Sequence, residues 1–141
     1  VYLHQSFEPT FDVPASEARK MRRRLEDAVH EGDSAVLVAE ARGRIIGFYS
    51  IYVQEMDDDW RHTVFANGAY GLIAEVAVAE DWRGRGVGRA MFAAARAWFD
   101  QQRVRAMWLI YVPNNPLSSR FWPRLGFETV WQVLYRGGSE Q

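Results

Sequence analysis

The chain has no cysteine among its 141 residues, and its three histidines, His4, His30 and His62, are far apart. The missing cysteine excludes disulfide bonds, thiolate catalysis and cysteine-ligated metal, and the histidine spacing is not that of a metal site. No apolar run reaches the ~20 residues that a membrane-spanning helix needs, and no signal-peptide pattern opens the chain. We therefore expect a cytoplasmic protein with no metal and no membrane partner.

A large excess of charge is also missing. Seventeen Lys and Arg residues face eighteen Asp and Glu residues, which leaves a formal net charge of -1. Proteins that bind nucleic acid through its phosphates are usually more basic, so we expect no nucleic-acid partner. Hydrophobic residues make up 48% of the chain and no low-complexity linker divides it, so residues 1–141 are predicted to form one domain.

Apolar residues recur at intervals of three and four over residues 16–30, and this periodicity predicts an α-helix there. The arginine run at 22–24 is predicted to be a solvated helix face rather than a nucleic-acid patch. Strands are predicted at 35–39, 45–53, 70–79, 106–112 and 127–135. Arg42-Gly43 is expected to close a hairpin, and 54–69 to form a long loop. The order of elements predicts a mixed α/β fold.

Three alternating glycines follow the strand at 70–79, where a second helix is predicted to begin. The glycines are Gly84, Gly86 and Gly88, and the arginines around them are Arg83, Arg85 and Arg89. Glycine allows the backbone to approach a ligand closely, and a helix N-terminus offers unpaired N–H groups and a positive dipole. A diphosphate is the expected ligand, and a plain glycine turn with solvated arginines is the alternative.

Two common phosphate motifs do not fit this segment. A Walker A loop ends in Gly-Lys-Ser/Thr, whereas Arg89-Ala90 follows Gly88, and this disfavours a P-loop nucleotide binder. The dinucleotide fingerprint G-x-G-x-x-G does not match strictly alternating glycines. The segment resembles motif A of the GNAT superfamily of N-acetyltransferases, R/Q-x-x-G-x-G/A, filled here by Arg83, Gly86 and Gly88.

A second resemblance covers residues 115–127, which are similar to motif B of that family in having an asparagine, a short helix beginning at Pro116, an aromatic pair and Leu-Gly-Phe. Together the motifs span about residues 70–127. The resemblance implies a GNAT-type, mostly antiparallel twisted sheet flanked by helices. It also implies a strand and a helix before residue 16, where the irregular residues 1–14 supply neither. A missing edge strand would leave backbone groups for another chain to cover, so a homodimer is an expectation.

The resemblance implies an N-acetyltransferase that uses acetyl-CoA (coenzyme A) and an amine-bearing acceptor. Direct transfer to a primary amine of a small molecule or protein is expected, because the chain has no cysteine and no Ser/His pair to carry the acyl group. A non-catalytic CoA-binding or regulatory domain is the alternative. By resemblance, the cofactor-binding residues are Val76, Ala77, Val78, Arg83, Gly84, Arg85, Gly86, Val87, Gly88, Arg89, Asn115 and Trp122. Asn115 is equally expected as the N-cap of the short helix.

Glu75 is the candidate catalytic base, since it stands in an otherwise apolar strand beside the expected cofactor arm. A strand glutamate that faces solvent or pairs with an arginine is the alternative. Family members often carry a proton-donating tyrosine in the short helix, where this chain has Phe121-Trp122. An indole is not an acid at neutral pH, so Trp122 is expected to pack against the cofactor. The proton donor is then Tyr111, Tyr70, Tyr49 or water.

The acidic residues Glu55 and Asp57–Asp59 crowd the loop that borders the acceptor site in the family. They are interpreted either as an attractor for a cationic amine or as a solvated loop far from the site.

Overall fold

The computed structural model describes residues 16–56 and 65–138. Its elements are α1 (Ser16–His30), β1 (Ser34–Ala41), β2 (Arg44–Met56), β3 (Gly68–Val78), a 3-10 turn (Glu80–Trp82), α2 (Val87–Gln101), β4 (Met107–Trp108) and α3 (Pro116–Arg124). The described strands form a sheet in the order β1-β2-β3-β4, in which only β4 runs parallel to its neighbour. The mixed α/β fold with a mostly antiparallel sheet is therefore confirmed.

Some sequence predictions fall outside the described residues. One is the prediction that residues 1–14 are irregular and lack the first strand and helix of the family. The other concerns the central part of the loop predicted at 54–69. Within the described ranges, no helix is both long enough and apolar enough to cross a membrane.

The hairpin turn follows from its two residues. Arg42 and Gly43 have φ angles of 52° and 73°, so both adopt the left-handed conformation that suits a two-residue hairpin turn. β1 and β2 then pair from Ala41 opposite Arg44 to Ser34 opposite Tyr52. The predicted hairpin is confirmed, and both strands are longer than their apolar runs.

Helix α2 packs on one face of this sheet and forms the core with it. Its buried residues are Met91, Phe92, Ala95 and Phe99, and they cluster with Tyr49, Ile51 and Ile73 of β2 and β3. Burying each large apolar side chain contributes roughly 1.5–3 kcal/mol relative to leaving it exposed. Gly71 allows the close contact, because a Cβ atom there would lie 2.7 Å from the Phe99 ring. This packing holds the start of α2 beside the end of β3.

A bulge in β3 decides which way Glu75 points. Ile51 of β2 pairs with Ile73, whereas Ser50 pairs with Glu75, so Ala74 is an extra residue in β3. Directly paired residues share a face of the sheet, and side chains alternate along a strand. Without the extra residue, Glu75 would share the core face with Ile73. The bulge turns Glu75 to the opposite face, with Ser50.

Two strand predictions are wrong in extent. The run at 106–112 contains only the two-residue strand β4, and 127–135 contains no strand. The residues of 127–135 have β propensity, but Val133 and Leu134 are 87% and 91% exposed. A strand requires a partner edge, and the short β4 offers little of one, so propensity alone does not produce pairing.

Candidate functional site

Strands β3 and β4 separate soon after they meet. They pair only at Gly71 with Met107 and at Leu72 with Trp108. Beyond this point, residues 73–78 have no partner strand on that edge among the described residues. Backbone groups on this open edge can pair with an extended ligand, in the way a peptide adds to a sheet edge, except for the Val78 carbonyl, which accepts a hydrogen bond from Arg83. The predicted contacts Val76, Ala77 and Val78 lie on this stretch, and they pair with β2 on their other side.

At the end of β3 the chain makes a 3-10 turn and then a glycine-lined helix start. Gly84 and Gly86 have φ angles of 71° and 84°, and a Cβ atom at either position would meet nothing within 4 Å. Their need for glycine is therefore conformational rather than steric. The first hydrogen bond of α2 runs from the Ala90 N–H to the Gly86 carbonyl, over 3.0 Å. The N–H groups at 87–89 have no partner within the helix, as at any helix start. Residues 84–89, called the cradle below, therefore offer the donors that an anion site needs, and anion binding there stays a prediction.

Gly88 belongs to the cradle for a different reason. A Cβ atom there would lie 3.2 Å from Cζ of Phe121 in α3, so glycine lets the two helices pack closely. The Tyr49 hydroxyl donates a hydrogen bond of 2.9 Å to the Gly88 carbonyl. Sequence analysis missed this contact, which links residues 39 positions apart. The cradle is thus attached to the sheet and to α3.

The three arginines near the cradle are exposed, and two of them make local contacts that the sequence did not reveal. The Arg83 Nε donates to the Val78 carbonyl over 3.0 Å and so closes the turn between strand and helix. The Arg85 guanidinium carbon lies 5.2 Å from the centre of the Trp82 ring, a cation–π distance. Arg89 is exposed in the first turn of α2. All three bring positive charge to the cradle.

Asn115 and Trp122 lie at opposite ends of α3. The Asn115 side-chain Oδ1 accepts a hydrogen bond of 3.0 Å from the Leu117 N–H, which confirms it as the N-cap. Trp122 is only 5% exposed, and its ring makes edge contacts with Tyr49, Phe92 and Phe127. The indole therefore belongs to the core, and cofactor contact by either residue stays a prediction.

Glu75 meets an arginine from α1, on the face opposite α2. Its Oε1 lies 3.5 Å from the Arg24 Nε, and the two side chains are 17% and 48% exposed. This is the ion pair that was the structural alternative for Glu75. All three arginines of the run 22–24 are exposed, which confirms the predicted solvated face, and Arg24 in addition pairs with Glu75. Glu75 Oε2 is buried and accepts no hydrogen bond from the described residues.

The structure separates the three candidate tyrosines. Tyr49 is fully buried, its hydroxyl donates to Gly88, and burial raises its pKa. The Tyr70 hydroxyl donates to the Ala66 carbonyl over 2.8 Å. Tyr111 is half-buried beside the core, in the segment that leaves β4. Of the acidic loop residues, Glu55 is exposed near the end of β2, and Asp57–Asp59 lie outside the described residues.

Known proteins resemble this chain in sequence or in fold. Mycothiol acetyltransferase from Saccharomonospora viridis is 28% identical over 130 residues, which are 92% of this chain but only 40% of that protein. The F44R mutant of the BH1408 protein from Bacillus halodurans superposes with a TM-score of 0.83 at 22% identity, over 97% of this chain and 85% of that one. Aminoglycoside N-acetyltransferase AAC(6')-Iy, solved in complex with CoA, superposes with a TM-score of 0.69 at 23% identity, over 89% of this chain and 92% of that one.

The two structural likenesses are likenesses of fold. The family assignment rests on the model of the acetyltransferase (GNAT) family, which matches residues 1–127. That match includes the cradle, the separated strands and the capped helix α3. The chain belongs to the GNAT family of acetyltransferases.

Proposed function

We propose that this chain transfers an acetyl group from acetyl-CoA to a primary amine of a small molecule or protein. The observation that carries the proposal is the cradle at 84–89 beside the unpaired edge of β3. An anion site and a free strand edge, one after the other, suit a ligand with a diphosphate and an extended amide-containing arm. A relative named mycothiol acetyltransferase and a similar fold solved with CoA support the same ligand.

The residues present fit acetyl-CoA at two places. The backbone N–H groups of the cradle would hold the pyrophosphate, helped by the charges of Arg83, Arg85 and Arg89. Backbone groups of Val76, Ala77 and Val78 would pair with the pantetheine arm, and Asn115 and Trp122 lie on the α3 side. When bound, acetyl-CoA supplies a thioester carbonyl as the electrophile and a thiol as the leaving group.

Glu75 is the proposed base. An alkyl ammonium has a pKa near ~10.4, so the acceptor must lose a proton before its nitrogen can attack. The Glu75 carboxylate takes that proton directly or through one water, and its buried Oε2 has no competing donor among the described residues. Exclusion of bulk water strengthens the interaction of this oxygen with an ammonium group.

Tyr111 is the proposed proton donor to the leaving thiolate. The hydroxyl protons of the other two candidates, Tyr49 and Tyr70, are directed at backbone carbonyls. Tyr111 follows β4, in the segment that diverges from β3, and so would border the gap in which the thioester would lie. A tyrosine hydroxyl is a competent donor at neutral pH, which the indole of Trp122 is not.

Two measurements test the proposal. Calorimetric titration should show that CoA binds and that ATP does not bind comparably. A panel of amines incubated with acetyl-CoA should then release free thiol with at least one acceptor. Binding of CoA without turnover of any amine favours the non-catalytic CoA-binding alternative. Binding of ATP but not CoA contradicts both.

A further inference from the structure

The ion pair between Arg24 and Glu75 joins helix α1 to the bulged strand β3. We propose that Arg24 is a positioning residue for the reaction: it holds Oε1 of Glu75 and leaves Oε2 to receive the acceptor's proton. This inference rests on the proposed function, in which Glu75 is the base. It gives a role to an arginine that the sequence alone assigned to a solvated helix face.

The bulge makes a positioning partner necessary. It removes Glu75 from the packed face formed with α2 and turns it toward α1. A glutamate side chain has several rotatable bonds, and a base must stay within hydrogen-bond reach of its proton. Arg24 stands on a 15-residue helix, so its contact at 3.5 Å limits the positions of the carboxylate. The pair is asymmetric, because the carboxylate is 17% exposed and the arginine 48%.

The second carboxylate oxygen is kept free. Glu75 Oε2 is buried and accepts no hydrogen bond within the described part of the chain. The hydroxyl directly opposite in register belongs to Ser50, and it donates to the Tyr52 hydroxyl over 3.3 Å instead. A buried acceptor without a donor costs stability unless a ligand or an ordered water satisfies it. One oxygen held and one left unsatisfied is the arrangement expected of a base awaiting its proton.

The same helix supplies a matched control. Arg22 lies one half-turn from Arg24 and pairs with Glu26 over 2.9 Å, but both of these side chains are largely exposed, at 80% and 62%. Replacing Arg22 with alanine, like replacing Arg24, removes one arginine from the surface of α1, one positive charge and one ion pair. It leaves Glu75 untouched.

The experiment compares Arg24→Ala, Arg24→Lys and Arg22→Ala with the parent enzyme, using an amine found to be acetylated. We expect Arg24→Ala to lower kcat about ten-fold, less than the ~10²–10⁴-fold typical of losing a general base. The KM for acetyl-CoA and the Kd for CoA should stay within two-fold, because the cradle is elsewhere. Arg24→Lys should recover part of kcat, and Arg22→Ala should match the parent. Melting temperatures should fall only slightly, since the pair is partly exposed.

Glu75→Gln separates the possible failures. If Glu75→Gln lowers kcat while Arg24→Ala matches the parent, the positioning role is overturned and the base remains. If Glu75→Gln has the kcat of the parent, Glu75 is not the base, and the positioning role of Arg24 is overturned with it. In the double variant, Arg24→Ala should add almost nothing to Glu75→Gln, since it acts through that carboxylate. If Arg24→Ala lowers kcat by the same factor in the parent and in Glu75→Gln, the proposal is overturned. Should Arg24→Ala not fold, Arg24→Gln keeps the side chain's polar character and answers the same question.

Discussion

The buried hydroxyl of Tyr49 donates a hydrogen bond to the carbonyl of Gly88, in the first turn of α2. Tyr49 is in the middle of the sheet core, and Gly88 is in the cradle that is predicted to bind phosphate. The bond therefore fixes the helix start from inside the molecule, before any ligand arrives. Preorganisation of this kind lowers the entropy that binding must otherwise remove.

Removing that hydroxyl should loosen the cradle. We expect Tyr49→Phe to lower the free energy of unfolding by about 1 kcal/mol, the usual net value of one hydrogen bond. The Kd for CoA should rise about two- to five-fold, as measured by calorimetric titration. Tyr70→Phe is the matched control, because its hydroxyl bonds the Ala66 carbonyl at an exposed position. Unchanged CoA affinity in Tyr49→Phe would show that the bond does not organise the cradle.

The same tyrosine predicts a sensitivity to alkaline pH. Burial raises the pKa of Tyr49 above its ordinary value of 10.0, so its folded form resists ionisation. A raised folded-state pKa contributes stability that is complete below pH ~10 and is lost as the pH rises above it, by about 1.4 kcal/mol per pH unit. Denaturant unfolding between pH 8 and 11.5 should show this decline. It should be shallower in Tyr49→Phe, which keeps the other five tyrosines and the single lysine of the chain and so serves as the reference for their titration.

The cradle should reject negative charge at Gly86. Its φ angle of 84° is one that asparagine and aspartate tolerate better than most residues, and no atom would obstruct their Cβ. Gly86→Asp and Gly86→Asn therefore have the same shape and similar backbone strain, and they differ in charge. We expect Gly86→Asp to weaken CoA binding more than ten-fold relative to Gly86→Asn, which is at least about 1.4 kcal/mol. Equal affinities would mean that the pyrophosphate does not lie at this position.

Truncating Arg83 and truncating Arg85 should have different effects on stability and on CoA affinity. Arg83 closes the turn by bonding the Val78 carbonyl, so Arg83→Ala should lower the melting temperature as well as CoA affinity. Arg85 lies over Trp82 and otherwise adds charge. The affinity defect of Arg85→Ala should shrink between about 0.05 and 0.5 M salt, because salt screens exposed charges. A defect that is independent of salt would indicate that the stacking on Trp82 matters instead.

Local patterns in the sequence predicted the parts of the fold that depend on local physics. Helix α1 has the predicted bounds of 16–30, because its apolar periodicity and the glycine after it act within one segment. The Arg42-Gly43 turn is correct for the same reason. The strand at 127–135 is wrong because a strand also needs a partner, which lies far away in the sequence.

The candidate site shows the same division. Glycines and arginines of the cradle are contiguous, so their motif was visible in the sequence. The bulge at Ala74 depends on the register between β2 and β3, and the Arg24–Glu75 pair depends on that bulge. The bond from Tyr49 to Gly88 spans two distant elements. The periodicity of a single sequence encodes neither the bulge nor either of these two contacts.

Trp122 provides the last prediction, because its position in the short helix is where the family often has a proton-donating tyrosine. Its indole is 5% exposed and packs edge-on against Phe121 at 4.8 Å and Phe127 at 5.5 Å between ring centres. We expect Trp122→Phe to lower the free energy of unfolding by about 1–3 kcal/mol, less than the 3–5 kcal/mol typical of truncating a buried tryptophan to alanine.

Turnover should respond differently from stability in this variant. A packing residue leaves kcat nearly unchanged once the protein is folded, so assays well below the melting temperature should find kcat within about three-fold of the parent. Tyr111→Phe is the comparison, because it removes the proposed proton donor while keeping the ring, and it should lower kcat at least ten-fold. If Trp122→Phe abolished turnover with its stability intact and Tyr111→Phe did not, the proton would reach the thiolate by a route along α3. The indole cannot supply that proton itself, so water ordered by its N–H would have to carry it.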